Sequence, residues 1–192
     1  MGNPRLETIE AYLKEGAALR LESVRLENHI LQAADAIAQA FRSGGKLLLF
    51  GNGGSAADAQ HIAAEFSGRF RKDREPMPAI ALTVNPSTVT AIANDYAFEE
   101  VFERQVRGLA KPADVVIGIS TSGASKNVLR GLDAAREVGA MAIGLCGSKG
   151  EMSIHADLVL SVPSEATPLV QEVHIAIGHL LALLVEEDLF GS

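Results

Sequence analysis

Apolar residues recur at helical spacing across residues 5–43, at Ile9, Leu13, Leu19, Val24, Leu26, Ile30, Leu31, Ala34, Ile37 and Phe41, and the pattern stops at Gly44-Gly45. This spacing predicts two helices ahead of the first strand. The period then changes. Short apolar runs at Lys46–Phe50, Ala79–Thr83, Asp114–Ser120, Met141–Cys146 and Asp157–Val162 read as strands, and the segments between them mostly have the pattern or length of helices. Five buried strands alternating with helices predict an α/β fold, a five-stranded parallel sheet flanked by helices on both faces. The last segment, Glu165–Leu189, carries Leu169, Val170, Val173, Ile175, Ile177, Leu180, Leu181, Leu183, Leu184 and Val185, apolar around most of a helix. Such a helix is buried, and two placements are open for it: an oligomer interface shared with the N-terminal helices, or its own sheet alone. With no repeat, low-complexity tract or linker, residues 1–192 are expected to form one domain, with 1–43 as an N-terminal helical segment and 44–192 as the α/β core.

Composition narrows the function classes. A hydrophobic content of 47% supports a large core, and a formal charge of -7 without a run of Lys or Arg excludes a general nucleic-acid binder. The single cysteine, Cys146, lies in the apolar run Met141–Cys146, cannot form an internal disulfide and is read as core. No apolar run is read as long enough to span a bilayer, the first residues are polar with no cleavable leader pattern, and Leu6 breaks the myristoylation pattern. A cytoplasmic protein without a membrane partner is expected.

Two strand-to-helix junctions carry the candidate chemistry. In Leu47-Leu48-Leu49-Phe50-Gly51-Asn52-Gly53-Gly54-Ser55, an apolar strand empties into glycines that can turn sharply and bring bare amides to a ligand at a helix N-terminus. His61 and Glu65 follow, four apart and therefore on one face of that helix. The second junction, Gly118-Ile119-Ser120-Thr121-Ser122-Gly123-Ala124-Ser125, sets four hydroxyls before the helical pattern of Val128, Leu129 and Leu132. Hydroxyls and helix-terminal amides can cradle a phosphate without a lysine, and ligands of open α/β sheets collect outside the strand C-termini. Gly51-x-Gly53-x-x-Ala56 also fits a loose dinucleotide fingerprint, but the next strand runs into Val84-Asn85-Pro86-Ser87 and offers no acidic residue for a ribose.

Taken together, Gly51–Ala56, Asp58–Glu65, Ala93-Asn94-Asp95, Ile119–Gly123 and Gln171-Glu172-Val173-His174 with His179 resemble the sedoheptulose-7-phosphate isomerases, the phosphoheptose isomerases of the sugar-isomerase (SIS) superfamily. The resemblance covers nearly the whole chain, in order and approximate spacing. It implies a flavodoxin-like SIS fold and a sugar-phosphate substrate contacted by Asn52, Gly53, Gly54, Ser55, Glu65, Asn94, Asp95, Ser120, Thr121, Ser122, Ser125 and Gln171. It also implies zinc held by His61, Glu65, Gln171 and His179, an acid/base pair of Glu65 and His179, and a homotetramer with sites at subunit interfaces. His174 lies outside the implied metal set and reads as a core or interface residue. Arg69 matches a basic family position and either helps hold the phosphate or is one solvated arginine of a charged loop. Thr167-Pro168-Leu169 replaces an acidic and a basic residue that some members carry there.

The implied chemistry moves a proton between adjacent carbons of an open-chain sugar through an enediol, a task for a carboxylate base, an imidazole and a Lewis acid. A zinc-bound Glu65 would act through its second oxygen or through a labile metal bond. Gln171 and His179 lie eight residues apart, about 12 Å along a continuous helix, whereas ligands sit about 2 Å from zinc. Neighbouring subunits are therefore expected to complete the site. The expected activity is conversion of D-sedoheptulose 7-phosphate to D-glycero-D-manno-heptose 7-phosphate in bacterial heptose precursor biosynthesis. The alternatives are an isomerase of another sugar phosphate and a non-catalytic SIS protein that binds the replication initiator, a group expected to lack the acid/base set. A sugar-phosphate-sensing module of a regulator is disfavoured by the lack of a DNA-binding segment up to Ser192.

Overall fold

The computed structural model describes residues 3–191. Met1, Gly2 and Ser192, the outermost residues of the expected domain, lie outside the described residues. In chain order the elements are α1 (Pro4–Glu22), a 3-10 turn (Ser23–Leu26), α2 (Glu27–Arg42), β1 (Leu47–Gly51), α3 (Gly54–Ser67), β2 (Ala79–Ala81) and α4 (Pro86–Asp95). A second 3-10 turn (Phe98–Glu100) leads to α5 (Val101–Leu109), β3 (Val115–Ser120), α6 (Lys126–Val138), β4 (Met141–Cys146), α7 (Met152–His155), β5 (Leu158–Ser161) and α8 (Thr167–Phe190). The five strands expected from the apolar runs are all present, with β2 shorter than its run because the backbone turns away after Ala81 at the sheet edge.

The strands form one parallel sheet in the order β2-β1-β3-β4-β5. Side chains alternate across the pleat: Leu47 and Leu49 enter a core with α2, α3 and α8, while Leu48 and Phe50 enter a second core with α5 and α6. The connections from β1 and from β3 therefore leave on opposite faces, and the strand order reverses between these two neighbours. Doubly wound sheets bind ligands outside the strand C-termini at such a reversal.

Helix α8 corrects one expectation. Over an 18-residue window its mean hydropathy is 1.6, so by length and composition it could cross a bilayer. Half of that window is buried instead, with Leu169, Val170, Val173, Ile177, Leu181 and Val185 packed into the first core. Leu180 on its other side is exposed and lines an apolar groove of about 650 Å³ with Val24, Ile30, Leu31 and Leu184. Helix α1 buries only Leu19 and exposes Leu6, Ile9 and Leu13. Cys146 is buried, and burial pushes its thiol above the ordinary value although Ser161 pulls the other way.

Candidate functional site

The two glycine- and hydroxyl-rich junctions emerge side by side, because β1 and β3 pair along Leu47–Gly51 and Val115–Ile119. Gly53 caps α3 at φ +55, a left-handed conformation that a side chain would strain. Among the described residues, no side chain caps the N-terminus of α3 or of α6. Ser125 occupies the capping position of α6, yet its hydroxyl accepts a hydrogen bond from Ser120 at 2.9 Å, and Ser120 also lies 3.3 Å from the Ser122 hydroxyl. Ser55, Ala56 and Val128 already donate to the Asn52, Gly53 and Ser125 carbonyls, so the amides left for an anion are those that open the helices, of Gly54, Lys126 and Asn127, with Ser122 exposed and Thr121 half-buried beside them. Ser55 and Ser120 are buried, at 4% and 3% exposure.

One residue of this cradle escaped the sequence. Asn52 and Asn127 exchange two side-chain hydrogen bonds of 2.8 and 2.9 Å, and Asn127 is buried in the first turn of α6. This amide pair ties the first loop to the second. An asparagine just after a serine-rich turn carries no sequence signal beyond helix-start composition.

The titratable groups converge from two helices. His61 and Glu65 share one face of α3, with His61 Nε2 at 3.1 Å from Glu65 Oε1. His179 of α8 brings its Nε2 to 2.9 Å from His61 Nε2. Gly178 makes that approach possible, since a Cβ there would run into the Ile62 side chain. Phe70 stacks on the other side of His179 at 5.7 Å between ring centroids. One ligand atom from each of His61, Glu65 and His179 lies within 4.8 Å of the others. Two imidazole nitrogens on one tetrahedral zinc would be about 3.3 Å apart at ordinary bond lengths, so a small opening of the pair accommodates the ion. The donor set fits zinc.

The remaining expected residues lie outside the triad. Gln171 sits two turns before His179 on the unbroken α8, with its carboxamide against Gly54 and away from the triad. Asn94 donates to Asp95 at 2.8 Å on the exposed end of α4. Arg69 is exposed. Thr167 and Pro168 form the exposed start of α8, while Leu169 is core. His174 is fully buried, as expected for a core residue.

Asp58, which opens the Asp58–Glu65 motif without an expected role, sits one turn before His61 with a half-buried carboxyl and with Oδ2 unbonded among the described residues. Burial raises its pKa against the opposing pull of His61. The arrangement as a whole combines an anion cradle with a carboxylate and two imidazoles, which suits acid/base chemistry on a phosphorylated substrate.

Comparison with known proteins agrees with this chemistry. Residues 11–147 match the SIS domain family. The chain is 52% identical over 184 residues to the phosphoheptose isomerase of Aquifex aeolicus, covering 95% of this chain and 96% of that protein. It is 51% identical over 177 residues to a probable phosphoheptose isomerase of Thermoplasma acidophilum, covering 92% of this chain and 96% of that one. Among solved structures, the phosphoheptose isomerase of Neisseria gonorrhoeae superposes with a TM-score of 0.90 at 39% identity, over 95% of this chain and 98% of that one.

Proposed function

Because the chain belongs to the SIS domain family, together with the phosphoheptose isomerases, and is an aldose–ketose isomerase acting on a sugar phosphate, we propose that it converts D-sedoheptulose 7-phosphate to D-glycero-D-manno-heptose 7-phosphate in bacterial heptose precursor biosynthesis. The observation that carries this reading is the convergence of Glu65, His61 and His179 from α3 and α8, with a phosphate-friendly pair of helix N-termini on the same sheet.

The phosphate of the open-chain sugar is held by the α3 and α6 amides with the Ser55, Ser120, Thr121, Ser122 and Ser125 hydroxyls, and Asn52, Asn94 and Asp95 contact sugar hydroxyls. Glu65 takes the proton from the hydroxyl-bearing carbon next to the carbonyl and later returns it to the former carbonyl carbon. His179 gives a proton to the carbonyl oxygen as the enediol forms and accepts one from the neighbouring hydroxyl as the new carbonyl forms, so no net proton is consumed. Zinc would be held by His61, Glu65 and His179 with Gln171 as a fourth ligand, and when bound it supplies a Lewis acid that polarises the carbonyl. The distance between Gln171 and His179 along α8, together with the apolar groove and the bare face of α1, supports a homotetramer in which neighbouring chains complete each site. A cytoplasmic location accords with a soluble metabolic isomerase.

The test is proton NMR of the purified protein with sedoheptulose 7-phosphate, with and without added zinc. A new aldose anomeric signal that disappears in Glu65→Gln establishes the reaction and its base. A folded, zinc-loaded protein that leaves this substrate unchanged but isomerises another ketose phosphate moves the assignment to that sugar.

A further inference from the structure

Beyond the residues assigned to substrate and metal, one buried ion pair connects the two helices that carry the acid/base groups. Arg74 and Glu186 meet through Nε and Oε2 at 3.0 Å, with side chains only 2% and 1% exposed. Each partner has further work to do. Arg74 donates through Nη2 to the backbone carbonyl of Glu65 at 2.8 Å, and through Nη1 to the carbonyls of Phe66 at 2.9 Å and Gly68 at 3.2 Å. These carbonyls end α3, where helical partners run out and a cation is favoured. Glu186, two turns beyond His179 on α8, accepts the backbone N–H groups of Arg71 at 3.0 Å, Lys72 at 2.9 Å and Phe70 at 3.4 Å.

The segment between Gly68 and Arg74 is thus pinned at both ends, and Phe70 lies on the His179 ring. A side chain that grips the Glu65 backbone and another that sets the loop against His179 fix the separation of Glu65 and His179 from behind. Arg74 reaches Glu65 through its backbone carbonyl, and Glu186 reaches the Phe70 loop through backbone N–H groups. The exposed pair of Lys14 with Glu10, by contrast, joins two residues of α1 four apart and is 75% and 65% exposed.

We infer that Arg74 and Glu186 are positioning residues, a buried clasp that holds Glu65 and His179 at the spacing required for metal binding and proton transfer. The inference rests on the isomerase reading for its kinetic part and on the triad alone for its metal part. Groups that orient reacting or ligating side chains from outside the site typically govern about 10–100-fold in metal affinity or activity.

The experiment compares wild type with Arg74→Lys and Glu186→Gln, and with Arg74→Met/Glu186→Leu, which removes both charges together and so avoids an orphaned buried ion. Zinc affinity is measured by competition with a chromophoric chelator, and kcat and KM with sedoheptulose 7-phosphate, at a temperature where circular dichroism shows each variant folded. The expected result is a loss of about 10–100-fold in zinc affinity and in kcat, with KM changed by less than about threefold. A folded variant with wild-type zinc affinity and kcat overturns the clasp. Wild type that binds zinc but leaves the sugar unchanged sinks the isomerase reading instead, and the clasp then stands or falls on the zinc affinities.

Discussion

His61 and His179 place their Nε2 atoms 2.9 Å apart across 118 residues of sequence, and they reach that distance from different helices. Two ring nitrogens at this separation either share one proton or flank a cation, and Glu65 at 3.1 Å supplies the negative charge that favours the cation. Purified protein should therefore take up one zinc ion per triad, and His61→Ala and His179→Ala should each weaken binding by at least about 10-fold, the scale set by losing even an outer-sphere partner. Chelator competition gives the affinities; wild-type values in both variants would exclude the triad as the metal site.

A shared active site makes a sharper demand than oligomerisation alone. If Gln171 of one chain serves the Glu65 of another, Glu65→Gln and Gln171→Ala chains should each be inactive alone, yet recover activity when co-expressed, because some sites then unite two unaltered residues. Sites contained within one chain would all keep one lesion, and mixing would recover nothing. Activity per mole of protein, with assembly followed by light scattering, separates the cases.

Much of the frame was legible in the sequence because it depends on local pattern. Strand runs such as Met141–Cys146 are apolar from end to end, as buried parallel strands must be, and β4 spans that same run. His61 and Glu65 were readable as a pair through helix periodicity, and the two ligand-facing junctions through their glycines and hydroxyls. His179 entered through family resemblance, since nothing in its own segment points to residue 61. Asn127, Gly178 and the Arg74–Glu186 pair were invisible for one physical reason: their roles exist only after elements distant in sequence have packed. The apolar character of α8 was legible, but its division between core and groove was not, because composition does not say which face a sheet will cover.

Gly178 gives that packing a direct test. A methyl group there would meet Ile62 and push α8 away from α3 one residue before His179. Gly178→Ala should cost about 1–3 kcal/mol of stability through overpacking, although alanine is the better helix former. Zinc affinity should fall with it, as His179 withdraws from His61. Ile62→Ala in the same chain makes room for the methyl and should restore most of the metal affinity. Failure of the second change to rescue the first would mean that the close helix approach does not set the triad spacing.

His174 predicts how stability responds to acid. It is fully buried, neither ring nitrogen has a well-formed hydrogen bond among the described residues, and burial lowers its pKa from 6.5 to about 4, with the Cys146 backbone offsetting only part of that effect. The native state therefore keeps this imidazole neutral where the unfolded chain protonates it. Between pH 6.5 and 4 the unfolded state binds more protons, so stability is complete above this window and declines as pH falls through it. A shift of this size corresponds to about 3 kcal/mol once the pH is below both values. His174→Phe removes the titrating group and two unsatisfied nitrogens while keeping a planar ring, so it should flatten the stability profile across that window and cost little at pH 7.5. Urea unfolding at pH 7.5 and 4.5 provides the comparison: wild type should lose more stability between the two than His174→Phe does, and equal losses would mean that the buried imidazole is not the source of the acid sensitivity.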